Sequence, residues 1–267
     1  MSKIIMLGVG NGGTLNLYNT CFVIQNDIGN FLIDTGGGIE ILKKLKQAEI
    51  DYTKLKHIFI SHSHTDHILG IFWFFKKISR LAMKCEITEK INIYCNKTVH
   101  ESIKEVAKFI LPEKLMDAIY NVINFVVLND GDRYTINDVE YEFFDIKGRG
   151  TEQFGFECYI DNVKLLFLGD ETLNPVLNNR VDNADFVMHE AFCLDSEETI
   201  FHAYEKHHST VKTVCETMNK LNVKNLILYH TEESHGNNRK ELYIEEGNKY
   251  FKSNLFVPDE LEIIELK

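Results

Sequence analysis

The sequence predicts an α/β sandwich with its helices on the outside, and three features carry that prediction. Short β-branched or aromatic runs recur along the whole chain, helical stretches fall between them, and several of the runs end in polar, metal-capable or turn-forming clusters. Many strands imply an extensive sheet, or two.

The runs, in order, are "KIIML", "TCFVIQ", "NFLID", "HIFIS", "INIYC", "INFVVL", "YEFFDI", "FECYI", "KLLFLGD", "DFVMHE", "NLILYH" and "IIEL". Each is short, apolar and rich in residues that suit a pleated surface. Helices are expected at about 38–49, 67–80, 97–108, 112–120, 208–221 and 238–250, the last with apolar spacing that suits one buried face. "FWFF" at 72–75 reads as helix-buried core, and the basic residues Lys76, Lys77, Arg80 and Lys84 as a solvated helix face. "FLIDTGGG", "IFISHSHTDH", "LLFLGDE", "FVMHEA" and "LILYHTEES" place their polar ends where strands turn, so one rim could collect them all.

With 267 residues, 44% of them hydrophobic and 26% charged, the chain can bury a sizeable core. Proline is scarce and no linker, repeat or low-complexity tract interrupts it, so residues 1–267 are expected to form one domain. The net charge of −11 supplies no global positive field to gather phosphate backbones. Cys21, Cys85, Cys95, Cys158, Cys193 and Cys215 lie far apart without CxxC spacing and read as thiols of a reducing compartment. The opening "MSKIIMLGVGNGG" lacks the sustained apolar stretch of a signal peptide, and no run of about 18 apolar residues appears, so the expected location is the cytoplasm, away from membranes.

The densest chemistry is "HSHTDH" at 62–67. Neutral imidazoles and a carboxylate packed this closely suit a cation. Histidines two apart at a strand end, followed by Asp and His where the chain turns into a helix, can serve two adjacent ions, His62 and His64 for one, Asp66 and His67 for the other.

This HxHxDH pattern resembles the signature of the metallo-β-lactamase superfamily, and the resemblance extends along most of the chain. It implies an αββα sandwich, two mixed β-sheets flanked by helices. It also implies that Asp34 in "FLIDTGGG" orients a ligand histidine from behind, that Asp170 in "LLFLGDET" bridges the ions, and that His230 in "LILYHTEES" is the last histidine ligand. "ADFVMHEAFC" and "EKHHSTV" resemble the ribonuclease Z branch more closely, through His189-Glu190-Ala191 and His208-Ser209-Thr210. By that resemblance His208 stabilises or protonates at the scissile phosphate, Glu190 holds its ring, and the helix starting near 208 turns backbone donors toward an anion. Ser209 and Thr210 also suit a helix N-cap. Asp66, His208 and Glu190 are thus the expected catalytic residues, with Lys147, Arg149, Ser209 and Thr210 on the substrate.

The chain departs from the superfamily pattern at one ligand. The loop that usually supplies a third histidine to the first ion is here "FFDIKGRGTEQFGF", with Gly148 where the ligand belongs. The set Asp66, His67, Asp170 and His230 should therefore be the better filled, or the first set, His62, His64 and Asp170, should be completed by water or a carboxylate such as Asp145 or Glu152. Zn is the default ion for such donors, with Mn and Fe also accommodated.

The expected reaction is metal-dependent hydrolysis of a phosphodiester, in which the ion brings the pKa of a water toward neutrality. The long Gly/Pro-rich arm that clamps the tRNA body in many ribonucleases Z has no room between Gly148 and Asp170, where "YIDNVKLLFL" reads as a plain hairpin. With the negative net charge, this favours a small or cyclic nucleotide, or a short oligonucleotide, over the trimming of an RNA 3′ end. Thioester or lactone hydrolysis on the same metal site, and metal or nucleotide binding without catalysis, are the alternative readings. A homodimer is the expected assembly.

Overall fold

The computed structural model describes residues 1–267, arranged as two seven-stranded mixed sheets packed face to face. The first half of the chain runs β1 (Lys3–Gly8), β2 (Cys21–Gln25), β3 (Asn30–Ile33), α1 (Glu40–Gln47), β4 (His57–Ile60), α2 (Thr65–Ile68), α3 (Gly70–Ala82), β5 (Ile91–Cys95), α4 (Lys97–Ile110), α5 (Glu113–Val122) and β6 (Ile123–Val127). The second runs β7 (Arg133–Ile136), β8 (Val139–Asp145), β9 (Phe154–Ile160), β10 (Val163–Phe167), α6 (Asn178–Val181), β11 (Phe186–Glu190), α7 (Glu198–Phe201), α8 (Val211–Lys220), β12 (Asn225–Tyr229), α9 (Arg239–Tyr250), β13 (Asn254–Phe256) and β14 (Ile263–Glu265).

Both sheets are built to one plan. The first has the order β14-β1-β2-β3-β4-β5-β6 and the second β13-β12-β11-β10-β9-β8-β7. In each, a meander of antiparallel pairs passes into parallel pairs, β3 to β6 in one and β10 to β13 in the other. Parallel neighbours need crossovers, and the helices supply them on the outer faces.

Side-chain alternation explains the layers. In β4, Ile58 and Ile60 face the helices of the first half while Phe59 enters the space between the sheets; in β12, Leu226 and Leu228 face α8 and α9 while Ile227 and Tyr229 point inward. The inter-sheet core is aromatic: Phe156 lies 5.6 Å from Phe167, 5.3 Å from Tyr141 and 6.0 Å from Phe59 between ring centroids. Of "FWFF", Phe72, Phe74 and Phe75 are buried and Trp73 is exposed, with Lys76 over its ring.

The hairpin of β9 and β10 turns at Asp161 and Asn162, both at positive φ, as a tight two-residue hairpin demands. No arm leaves it. No helix is long and apolar enough to cross a membrane. Three differences from the sequence expectation stand out. The chain at 133–136 and 254–256 forms strands β7 and β13, and α8 starts at Val211 after a Thr210 cap instead of at 208.

Candidate metal centre

The parallel strands of both sheets end at the same rim. β3 leads to Asp34, β4 to 61–67, β10 to Asp170, β11 to Glu190 and β12 to His230. Carboxyl ends of parallel strands are where open α/β sheets place their ligands.

Four buried ligand atoms, one each from Asp66, His67, Asp170 and His230, lie within 4.8 Å of one another, and so do those of His62, His64 and Asp170. Asp170 Oδ2 sits 3.3 Å from His62 Nε2, 3.2 Å from His67 Nε2 and 3.4 Å from His230 Nε2. Asp66 Oδ2 is 3.3 Å from both His67 Nε2 and His230 Nε2. His62 Nε2, His67 Nε2 and Asp170 Oδ1 are buried without a hydrogen-bond partner. Buried polar atoms are rarely left so, and ring nitrogens and carboxylate oxygens converging on one point are the donor set a divalent cation takes. The residues present therefore fit a metal.

The field of the site is strongly coupled. Burial alone would raise the carboxyls, but for Asp66 the neighbours His67 and His230, and for Asp170 the neighbours His62 and His67, hold them well below the usual range. Burial opposes charge on His67 too, yet Asp66, Asp34 and Asp170 hold its pKa well up.

Behind the centre, Asp34 Oδ2 is 2.8 Å from His67 Nδ1; a carboxylate only accepts, so Nδ1–H donates and Nε2 is turned to the metal side. The same carboxylate accepts from Ser61 N and Ser61 Oγ, each at 2.8 Å. Asp34 and His230 both stand at positive φ, 56° and 57°, conformations that non-glycine residues adopt where function or packing demands them. Gly169, at φ 67°, makes the bend that delivers Asp170.

A third group closes one side. Glu190, His208 and His230 offer atoms within 4.8 Å of one another. Glu190 Oε1 accepts from Ser209 N at 2.6 Å, and Oε2 is 3.7 Å from His208 Nδ1. Burial pushes the Glu190 carboxyl well up, whereas burial and neighbouring His230 bring His208 down to about 4. The His208 ring stacks on Phe192, with centroids 4.6 Å apart and planes 4° apart.

Other expected substrate residues have different partners. Lys147 Nζ pairs with Asp130 at 3.0 Å and Asp145 at 2.9 Å. Thr210 accepts from Thr213 N as the α8 cap, and Ser209 Oγ donates to Thr172 Oγ1 at 3.1 Å. Because Glu190 takes Ser209 N and the Cys193 carbonyl takes Val211 N, this helix start has little left to offer an anion. Arg149 lines a pocket beside the centre with Gly148, Glu171, Thr172 and His207. Neither Asp145 nor Glu152 joins the metal groups: Asp145 receives the Lys147 backbone and ammonium, and Glu152 accepts from Thr98 Oγ1.

The structure also adds residues that the sequence reading missed. Asn11, Gly12, Gly13, Phe192, Lys206 and Glu232 line the cleft over the metal ligands, a cavity of about 270 Å³. Asn11 Nδ2 donates to Glu232 Oε1 at 2.8 Å, and Gly12 packs on the Asp66 carboxylate. The visible signals were the paired glycines of "GNGG" and the Phe and Lys adjoining the recognised motifs.

Comparison with known proteins agrees with this architecture. The ribonuclease Z of Thermococcus sibiricus is 24% identical over 310 aligned positions, covering 100% of this chain and 97% of that protein. The metallo-β-lactamase fold protein YhfI from Bacillus subtilis superposes with a TM-score of 0.79 at 15% identity, over 98% of each chain. The short form of human tRNase Z does so with a TM-score of 0.74 at 19% identity, over 100% of each. The sequence matches the family described as anti-Pycsar protein Apyc1 over residues 2–251. The match of that family over residues 2–251 makes this chain, with its metallo-β-lactamase fold, a member of the anti-Pycsar protein Apyc1 family.

Proposed function

We propose that the chain is a metal-dependent phosphodiesterase whose substrate is a small or cyclic nucleotide. The observation that carries this reading is the meeting of two metal-ligating groups with the Glu190–His208 pair around one cleft. A bound divalent ion supplies Lewis acidity and water activation, with Zn as the proposed ion for this imidazole and carboxylate set. Asp66, His67, Asp170 and His230 would hold one ion, and His62, His64 and Asp170 the other.

The protein's own groups do the rest. His208, neutral at ordinary pH, has its ring fixed by Phe192 and turned toward the cleft, where an N–H can donate to a phosphoryl or leaving oxygen. An arriving phosphate anion raises the pKa of that imidazole toward what a general acid needs. Glu190, whose carboxyl is pushed well up by burial, sits beside it with Oε2 3.7 Å from Nδ1. Lys206, whose Nζ lies 5.1 Å from the Phe192 ring centroid, puts a positive charge on the cleft wall.

A net charge of −11, the bare β9–β10 hairpin and a cleft of about 270 Å³ favour a small substrate over a tRNA body. The anti-Pycsar action in the family's name is carried over as the proposed setting. A cytoplasmic location suits its free cysteines, and a homodimer is the proposed assembly.

The test is turnover, by protein loaded with Zn or Mn, of bis(p-nitrophenyl) phosphate, cyclic nucleotides, a tRNA with a 3′ trailer and a p-nitrophenyl ester. Phosphodiester turnover is expected, with His208→Ala lowering kcat by about 10²–10⁴. Hydrolysis of the ester alone would point to the thioester or lactone reading, and efficient trailer cleavage to RNA processing.

A further inference from the structure

The two halves of the metal centre are not equivalent, and the difference lies in Glu171. The group Asp66, His67, Asp170 and His230 has four members, all buried, whereas His62, His64 and Asp170 number three, with His64 exposed. His64 Nε2 lies 2.9 Å from Thr151 Oγ1.

Where a third histidine would stand, a Cβ on Gly148 would lie 2.5 Å from Glu171 Oε2 and 2.7 Å from Glu171 Cδ. The Glu171 side chain fills that space and is anchored there. It accepts from Arg149 N at 2.6 Å, from Gly150 N at 3.1 Å and from Gln153 Nε2 at 3.3 Å. Gln153 in turn accepts from Asp170 N at 3.2 Å. Both oxygens of this carboxylate are satisfied by the loop, and Glu171 is absent from every group of converging ligand atoms. It is buried beside a metal ligand without being one.

We propose that Glu171 is a plug that takes the place of a third ligand at the His62–His64–Asp170 position, so that this chain holds one ion tightly, between Asp66, His67, Asp170 and His230, and a second only weakly. The inference rests on the metal-dependent reading of the site but not on its substrate. Fewer ligands, one of them on an exposed histidine, lower affinity at this position. Since loss of a single supporting contact costs about 10–100-fold in metal affinity, the second equivalent should bind at least about tenfold more weakly than the first.

The experiment is a titration of metal-free protein with Zn²⁺ alone against a chromophoric chelator, with anomalous scattering to locate the tight ion. One tight and one weak equivalent are expected, the tight one beside His230. Glu171→Gln, which keeps the shape of the plug, should leave the tight equivalent in place. Gly148→His combined with Glu171→Ala should convert the weak equivalent to a tight one, whereas Gly148→His alone should not. Two equal equivalents in the wild type, a tight ion beside His64, loss of an ion in Glu171→Gln, or no gain in a folded double variant would each overturn the proposal. The wild-type and Glu171→Gln results decide the matter even if the double variant does not fold. All are read without substrate, so absence of phosphodiesterase turnover leaves them intact.

Discussion

His189 shows what a buried imidazole does next to a reactive centre without belonging to it. It lies at the end of β11, fully enclosed, with Nδ1 2.7 Å from the Glu190 carbonyl oxygen, to which Nδ1–H donates. Burial lowers its pKa from 6.5 to about 4. Below pH 6.5 the unfolded chain takes up a proton that the folded chain refuses. The contribution is thus intact above about 6.5 and is lost as pH falls toward 4, by about 3 kcal/mol in all. Glu190, raised by burial, acts with the opposite sign, so the comparison must be with a variant that changes His189 alone. Urea denaturation at pH 7 and pH 5 should show the wild type losing stability relative to His189→Asn; equal losses would refute the assignment. His189 was legible in the sequence only as part of "HEA", where it reads equally well as core or as a support behind the ligands. Strand alternation puts it on the same face of β11 as Val187, which packs with residues of α8 and α9, and decides for the core.

At the scale of elements, the turn between β4 and α3 is the part whose position matters most. Thr35 N and Thr35 Oγ1 both donate to the His67 carbonyl at 2.9 Å, and Gly70 N donates to the Gly36 carbonyl at 2.9 Å. A Cβ at Gly70 would run into the Thr35 carbonyl oxygen, so the start of α3 can lie this close only as glycine. Gly70→Ala should push the helix off the β3 turn, lowering stability by about 1–3 kcal/mol in urea denaturation and weakening metal binding, because the same contacts hold His67. An unchanged denaturation midpoint would show that the turn tolerates the shift. Most strands and the six long helices were readable from periodicity, to within a few residues at their ends. β7 and β13 were not. Each is a short edge strand of the second sheet, β13 spanning only Asn254–Phe256, and each owes its conformation to a neighbour's ladder more than to its own pattern.

For the whole molecule, the candidate metal centre is a meeting place of the two sheets. Asp66 and His67 come from α2, which follows β4 of the first sheet, and Asp170 and His230 from the loops after β10 and β12 of the second. An ion bound by all four should therefore stabilise the pair of sheets, by about 2.7 kcal/mol at a free concentration of 100 times Kd. Thermal unfolding should shift upward on adding Zn²⁺ and downward with a chelator; a midpoint indifferent to both would argue that the four ligands do not share an ion. What the sequence by itself determined is the set of ligand types and their order, because strand alternation and the HxHxDH spacing are local and survive without a fold. Only the tertiary structure decided that Glu171 occupies the space beside Gly148, that Lys147 is drawn to Asp130 and Asp145, and that Gly12 and Lys206 wall the cleft. The meeting of Gly12 and Lys206 at one rim, and of Glu171 with the loop at Gly148, depends on segments that are not adjacent in the chain, and which side chain fills a shared volume is settled by packing.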